Sequence, residues 1–111
     1  MKLNAIFSAS LITIASLALT LPARADSVKA HCTYYVNGSN KAKASMPCRF
    51  YQAQGHIVLT WKDGVVSDFM PEKGRSMVYR DQYGGMVYRE LGDDGLNIFK
   101  MEKGTIYTTF D

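Results

Sequence analysis

The spacing of glycines is the sequence feature that most constrains how this chain can fold. From Gly55 onward, glycines inside polar clusters recur at nearly even intervals along the chain. They are Gly55, Gly64, Gly74, Gly84, Gly95 and Gly104. The runs between them are rich in β-branched and aromatic residues. Short strands at this spacing, with turn residues between them, indicate an antiparallel meander closed as a small barrel or folded as a sandwich.

The preceding segment adds a first hairpin. Residues 27–36 alternate loosely between apolar and polar side chains, Asn37-Gly38 suits a tight turn, and residues 41–51 return. Six further runs are predicted at residues 56–61, 65–70, 76–81, 86–91, 96–101 and 105–110. The prediction is therefore an all-β domain of about eight short antiparallel strands, forming a small barrel or a flattened barrel with one disulfide.

The amino-terminal segment 1–25 has the order of a secretory signal peptide. Lys2 supplies a positive start, residues 5–21 are largely apolar, and Pro22-Ala23-Arg24-Ala25 ends in a small-x-small cleavage pattern. A retained membrane anchor is the alternative, but the apolar stretch is short for a membrane span. We expect a signal peptide at 1–25, a single all-β domain at 26–111, and a periplasmic or secreted protein without a membrane span after cleavage.

The net charge of the predicted mature chain is close to neutral. The whole chain carries a formal net charge of +3, with 13 lysines and arginines against 10 acidic side chains. Removal of the signal peptide takes away Lys2 and Arg24 and no acid, so the net charge falls to +1. Such a balance gives no compositional support for nucleic acid or an anionic membrane surface as a partner.

Two cysteines remain in the predicted mature chain, and they can form one intramolecular bridge, Cys32 to Cys48. A domain this small needs such a covalent link, because its core alone is marginal. The alternatives are a catalytic thiol beside His31, or a metal site that adds His31 and His56 to the cysteines. Neither spacing matches the common zinc or redox patterns, so we predict a disulfide and no metal.

The clearest hairpin spans residues 76–90, where Met-Val-Tyr-Arg occurs twice around Gly84-Gly85. A four-residue loop at 82–85 would give each face of the hairpin its own character. Met77, Tyr79, Met86 and Tyr88 would face the core, and Val78, Arg80, Val87 and Arg89 would face outward. A two-residue loop keeps these faces but sets Arg80 against Arg89, which repulsion disfavours. A three-residue loop mixes the faces and is disfavoured by the pattern.

Three side chains are candidate partner-binding residues. On the predicted outer face, Arg80 and Arg89 form a diagonal pair that suits an anionic group or a protein partner, because arginine is enriched at binding hot spots. The alternative is that both are merely solvated, with their stems over the valines. Trp61 is the single tryptophan and is assigned either to the core or rim, or to a ligand platform.

Catalysis has no support in the sequence. Neither His31 nor His56 lies near a serine nucleophile motif, and no glycine-rich phosphate loop follows a strand. Asp93-Asp94 precedes Gly95 as a tight turn requires, and the order of a calcium-binding loop is absent. We therefore expect a protein that is not an enzyme and needs no cofactor.

Two resemblances bear on function. The segment from Cys32 to Gly38, answered by Pro47-Cys48-Arg49-Phe50, resembles a pattern in small exported bacterial proteins of unknown function, and implies export and a disulfide-pinned hairpin. In size, export, disulfide use and barrel architecture the chain is similar to periplasmic inhibitors of c-type lysozyme. Their Ser-Gly-x-x-Tyr motif is not matched at Tyr79, so no inhibitory residue is carried over.

These observations predict a non-catalytic binding module for an extracellular or periplasmic protein or glycan. The alternatives are a structural component of the cell envelope and a lysozyme-inhibitor-like protein. A surface patch of tyrosine and arginine would favour the binding module. A large self-complementary apolar face would favour the structural role.

Overall fold

The computed structural model describes residues 27–110 and shows eight strands. The predicted signal peptide lies outside the described residues. In chain order the strands are β1 (Ser27–Val36), β2 (Ala44–Ala53), β3 (His56–Trp61), β4 (Val66–Pro71), β5 (Val78–Asp81), β6 (Met86–Leu91), β7 (Asn97–Lys100) and β8 (Gly104–Phe110). A single 3-10 turn at Asp93–Gly95 joins β6 to β7.

The strands form a closed antiparallel barrel in which each strand pairs with its neighbours in sequence. The first and last strands close it, with Tyr34 opposite Ile106 and Cys32 opposite Thr108. The predicted meander of eight strands is thus confirmed, and its closure is a barrel rather than a sandwich. Within residues 27–110 every strand has a paired neighbour on both sides, so the barrel lacks the terminal edge strands of an open sheet.

Alternation along each strand places apolar side chains inside the barrel. On β3, Ile57, Leu59 and Trp61 are buried, whereas the residues between them face outward. The fully buried interior of the described residues also includes Phe69, Val87 and Phe99. Burial of each such side chain stabilises the fold by about 1.5 to 3 kcal/mol relative to exposure.

The disulfide joins Cys32 on β1 to Cys48 on β2, as predicted. The two Cα atoms are 5.8 Å apart, and both side chains are buried inside the barrel. Cys32 lies opposite Met46 and Cys48 lies opposite Ala30, so the bridge runs diagonally between the strands. Closing a loop of this size contributes about 3 kcal/mol if the effect is entropic.

Glycine has two different roles in this barrel. Gly55, Gly64, Gly74, Gly84 and Gly95 all have positive φ and lie in the connections between strands. Gly104 instead begins β8 and is buried. A Cβ atom there would lie 2.6 Å from both Cε1 and Oη of Tyr34. The last glycine of the series is therefore needed for close packing rather than for a turn.

The predicted register of the hairpin between β5 and β6 is wrong by one residue. Arg80 lies opposite Met86, and Tyr79 lies opposite Val87. The amide N–H of Asp81 donates to the carbonyl of Gly85 at 2.9 Å, which leaves a three-residue loop at 82–84. This is the loop length that the sequence pattern disfavoured. Its physical reason is the Asp81 carboxylate, whose Oδ1 accepts the amide N–H groups of Tyr83 and Gly85 at 2.9 and 2.8 Å.

The one-residue shift changes the two faces of the hairpin. Tyr79, Val87 and Arg89 face the interior, whereas Arg80, Met86 and Tyr88 face outward. The predicted outer pair of Arg80 and Arg89 is therefore not formed, because the two side chains lie on opposite faces of the sheet.

Candidate functional site

Alternate connections of an up-and-down barrel meet at the same end. The connections at 37–43, 62–65, 82–85 and 101–103 gather at one end. We call this end the barrel mouth. The connections at 54–55, 72–77 and 92–96 lie at the opposite end, together with Ser27 and Phe110.

A cavity of about 890 Å³ opens at the barrel mouth. This volume lies within the range of about 300 to 1,000 Å³ that is typical of small-molecule sites. Its inner wall is apolar and aromatic, and its rim is charged. The wall consists of Tyr34, Ala44, Met46, Trp61, Phe69, Met101 and Ile106. An eight-stranded barrel is just wide enough to hold one small ligand when its side chains leave such a space.

Trp61, a predicted candidate for partner binding, lies in this wall. Its side chain is only 6% exposed, and its indole Nε1–H donates to Oγ of Ser67 at 3.0 Å. That hydrogen bond satisfies the polar edge of the ring and holds its orientation. Trp61 therefore contributes to the interior of the mouth rather than to an outer surface.

Tyr34 and two methionines supply the adaptable part of the wall. The ring of Tyr34 fits because Gly104, which it approaches closely, has no side chain. Met46 and Met101 are partly buried and pack against the core. Methionine has three rotatable bonds and a polarizable sulfur, so it can adjust to ligands of different shape.

The rim carries both signs of charge. Lys43 and Lys103 supply positive charge, and Asp63 and Glu102 supply negative charge. Within residues 27–110, neither lysine nor Glu102 forms a side-chain ion pair. Tyr83, at the tip of the 82–84 loop, is 88% exposed and is one of the residues that line the cavity. The rim can therefore hydrogen bond or ion pair with the polar end of a ligand.

Arg89 lies toward the opposite end and faces inward. Its Nε–H donates to Oδ1 of Asn97 at 2.7 Å, and its Nη1–H donates to the hydroxyl of Tyr79 at 3.1 Å. The guanidinium also lies 5.8 Å from the ring centroid of Phe99. In the described part of the chain no carboxylate is within ion-pair distance of Arg89. Its contacts are those of a structural residue that fills the interior.

Arg80 faces outward and is neutralised by Glu72. Its Nε and Nη2 groups donate to the two carboxylate oxygens of Glu72 at 3.1 and 3.2 Å, and Nη1–H donates to the carbonyl of Gly84 at 3.0 Å. The hydrogen bond from Arg80 lowers the pKa of Glu72 below its usual value. Arg80 is thus partly exposed but already bound, so the anion-binding pair expected from the sequence is not assembled.

The histidines lie on separate strands with separate partners. His31 on β1 hydrogen bonds Oγ of Ser45 at 2.8 Å, and His56 on β3 lies 2.8 Å from Oδ1 of Asp68. Ser45 and His31 are on the outer face of the barrel, and no carboxylate among residues 27–110 contacts His31. A histidine oriented by a third group is the usual requirement for activating a serine. Within the same residues no cluster of three acidic, histidine or cysteine side chains could hold a metal ion.

Comparison of the chain with protein-family models, with curated proteins and with solved structures finds no match. The resemblances drawn from the sequence therefore stay predictions. Residues 27–110 include no helix with the length and hydropathy needed to cross a membrane.

Trp61 was predictable from the sequence as a candidate, but the cavity was not predicted. The predicted meander already contained the information needed to find the cavity, because every second connection of such a barrel lies at the same end. Applied to the predicted strands, that rule would have brought together the loops that contain Asp63, Tyr83 and Lys103.

Proposed function

We propose that this protein is a non-catalytic binding module that holds a small amphipathic molecule in the barrel mouth. The observation that carries the proposal is the cavity of about 890 Å³ with an apolar inner wall and a charged rim. The largest apolar pocket with a few polar groups at its edge is the default binding site of a protein whose ligand is not established.

The lining residues support an amphipathic ligand. Tyr34, Met46 and Met101 are partly buried and offer apolar contact inside the mouth, which favours an acyl chain or an aromatic ring. Trp61, Phe69 and Ile106 are almost fully buried and form the packed part of the same wall. Lys43 and Lys103 can bind an anionic head group, and Asp63 and Glu102 can bind a cationic one. A ligand with an apolar body and one polar end would place the body inside and leave the head at the rim.

The proposed site of action is the periplasm or the exterior of the cell. The signal-like segment 1–25 supports export. A disulfide also persists best in an oxidising compartment, and Cys32 and Cys48 are bonded here. In this proposal the barrel carries or senses its ligand without chemical change and without a cofactor.

Trp61 makes the proposal directly testable, because it is the only tryptophan and lies in the cavity wall. Decanol, decanoate and decylammonium have the same chain and different head groups. Titrated below their micellar concentrations, at least one should change Trp61 emission in a saturable way. The head group that binds most tightly would identify which rim charges act.

A pair of variants on β2 separates binding in the mouth from adsorption elsewhere. Ala44→Phe fills the mouth and should weaken binding by roughly tenfold or more, which corresponds to about 1.4 kcal/mol. Ala53→Phe makes the same change at the other end of the strand, outside the cavity, and should bind as the unmodified protein does. Absence of saturation with all three probes, or equal loss in both variants, would contradict the proposal.

A further inference from the structure

We propose that a second site, on the outside of the barrel, binds a neutral saccharide. This site is a shallow cleft of about 490 Å³ over the junction of β1 and β8, beside the turn at 37–40. It lies next to the barrel mouth, but none of its lining residues lines the cavity there. We call it the seam cleft, and it is defined by Thr33, Tyr35, Thr105, Tyr107 and residues 36–40.

The register of β1 and β8 builds the base of the seam cleft. Thr33 lies opposite Tyr107, and Tyr35 lies opposite Thr105. All four side chains therefore share the outer face, with the two tyrosines on one diagonal and the two threonines on the other. The tyrosine rings meet edge to face, with centroids 5.6 Å apart. Tyr107 is 36% exposed, so part of its ring is open to a ligand.

The turn beside these strands is held in place before any ligand binds. Nδ2 of Asn37 donates to the carbonyl of Glu102 at 2.8 Å, and its backbone N–H donates to the carbonyl of Lys103 at 3.0 Å. These bonds fasten the 37–40 turn to the connection between β7 and β8. A fixed turn loses little conformational entropy on binding.

Unused polar groups face this preorganised cleft. Among residues 27–110 the side-chain amide of Asn40 and the hydroxyl of Thr105 have no hydrogen-bond partner. The amide offers two donors and an acceptor, and each hydroxyl can donate or accept. The seam cleft therefore combines uncharged hydrogen-bonding groups with aromatic surface.

The uncharged lining of the seam cleft favours a neutral ligand. None of the lining residues is acidic or basic. Lys100, opposite Thr105 on β7, is paired with Glu90 at 2.8 Å. A phosphate, a carboxylate or a cationic peptide would lose hydration here, and no lining residue would supply a counter-charge. A saccharide has hydroxyl groups at the edge of its ring, which can hydrogen bond with the amides and hydroxyls of the cleft. It also has C–H groups on the faces of its ring, which can pack against the tyrosine rings.

The inference is tested with neutral and anionic oligosaccharides. Maltotriose, cellotriose and chitotriose are titrated into the isotopically labelled protein, and amide shifts are followed by NMR. At least one should bind and shift residues of β1, β8 and the 37–40 turn. Sialyllactose serves as the anionic comparator and should bind more weakly. No binding by any neutral trisaccharide at millimolar concentration, or tighter binding of sialyllactose, would overturn the inference.

Two variants and one matched control locate the site. Tyr107→Thr removes a ring of the seam cleft while keeping a strand-forming residue, and should weaken binding by roughly tenfold. Asn40→Ala removes an unpartnered amide from a turn and should weaken binding without affecting the fold. Tyr88→Thr removes an exposed outer tyrosine from β6, away from the cleft, and should have no effect. Equal affinity for Tyr107→Thr and the unmodified protein would also overturn the inference.

Saccharide binding in the seam cleft is tested independently of ligand binding in the barrel mouth. Tyr107→Thr should leave the Trp61 response to the ten-carbon probes unchanged, and Ala44→Phe should leave saccharide binding unchanged. Failure of one site is thereby distinguished from failure of the other.

Discussion

The two copies of Met-Val-Tyr-Arg have the same sequence and opposite orientations. In the first copy, residues 77–80, Tyr79 is 5% exposed and Arg80 faces outward in an ion pair with Glu72. In the second, residues 86–89, Tyr88 is 45% exposed and Arg89 faces inward. The identical tetrapeptides therefore place opposite residue types inside the barrel.

The difference shows that the face of a strand residue is set by register rather than by residue type. Because side chains alternate along a strand, a loop longer or shorter by one residue exchanges the faces of one strand. Asp81 favours the three-residue loop, and the interior accepts Arg89 because Asn97, Tyr79 and Phe99 surround it. Local polar contacts have thus overridden the apolar pattern.

Replacing the two arginines should give the largest difference in stability between the two copies. Arg89→Ala removes the donors to Asn97 and Tyr79 and the contact with Phe99, so we expect a loss of about 2 to 3 kcal/mol in the free energy of unfolding. Arg80→Ala is the matched control in the first copy, and its exposed pair should contribute little. Urea unfolding followed by circular dichroism measures both. Equal losses would show that the two copies are energetically equivalent.

The loop carboxylate provides the second test. Asp81→Ala removes the acceptor of two backbone N–H groups, and should lower the free energy of unfolding by about 1 to 2 kcal/mol. Asp81→Asn keeps one oxygen acceptor and should lose less. Cross-strand nuclear Overhauser effects report the register directly. If Asp81→Ala retains full stability and the contact of Tyr79 with Val87, the carboxylate does not determine the loop length.

The smallest effect is expected from the pH dependence of stability that the ion pair of Arg80, in the first copy, with Glu72 produces. The hydrogen bond from Arg80 lowers the pKa of Glu72 in the folded protein. A carboxyl group with a lowered folded pKa stabilises the fold above its unfolded pKa, and this contribution is lost as pH falls through the folded value. The difference in stability between the unmodified protein and Glu72→Gln should therefore shrink from about pH 4.5 downward. If the difference in stability between the two proteins increased as the pH fell, the pKa of Glu72 would be raised rather than lowered by folding.

The sequence predicted the elements of this fold better than their faces. Glycine spacing and alternation located all eight strands, and cysteine counting identified the Cys32–Cys48 bridge. The boundaries of the strands were predicted less accurately. β5 begins at Val78 rather than at residue 76, since Met77 takes a positive φ of 63°. A backbone angle of that kind in a methionine is not encoded by local propensity.

The candidate sites were less accessible to sequence reasoning. Trp61 was identified because it is unique, but its place in the cavity wall depends on closure of the barrel. The predicted placement of Arg80 and Arg89 on one face was wrong, because the register between β5 and β6 is fixed by polar contacts of the 82–84 loop, including those of Asp81. The seam cleft joins residues 33 and 107, and only pairing of the two ends of the chain brings them together.

That pairing has a consequence for how the chain reaches its native state. Tyr34 and Ile106 lie opposite each other, although one belongs to the first strand and the other to the last. Contacts between residues far apart in sequence are slow to form, because the chain must first lose the conformational entropy of the long loop between them. A chain that emerges amino end first from a ribosome or a secretion channel cannot complete the barrel until Gly104–Phe110 has appeared. Earlier strands can pair as hairpins before then, but the edge of β1 that pairs with β8 stays unpaired until this final strand is available.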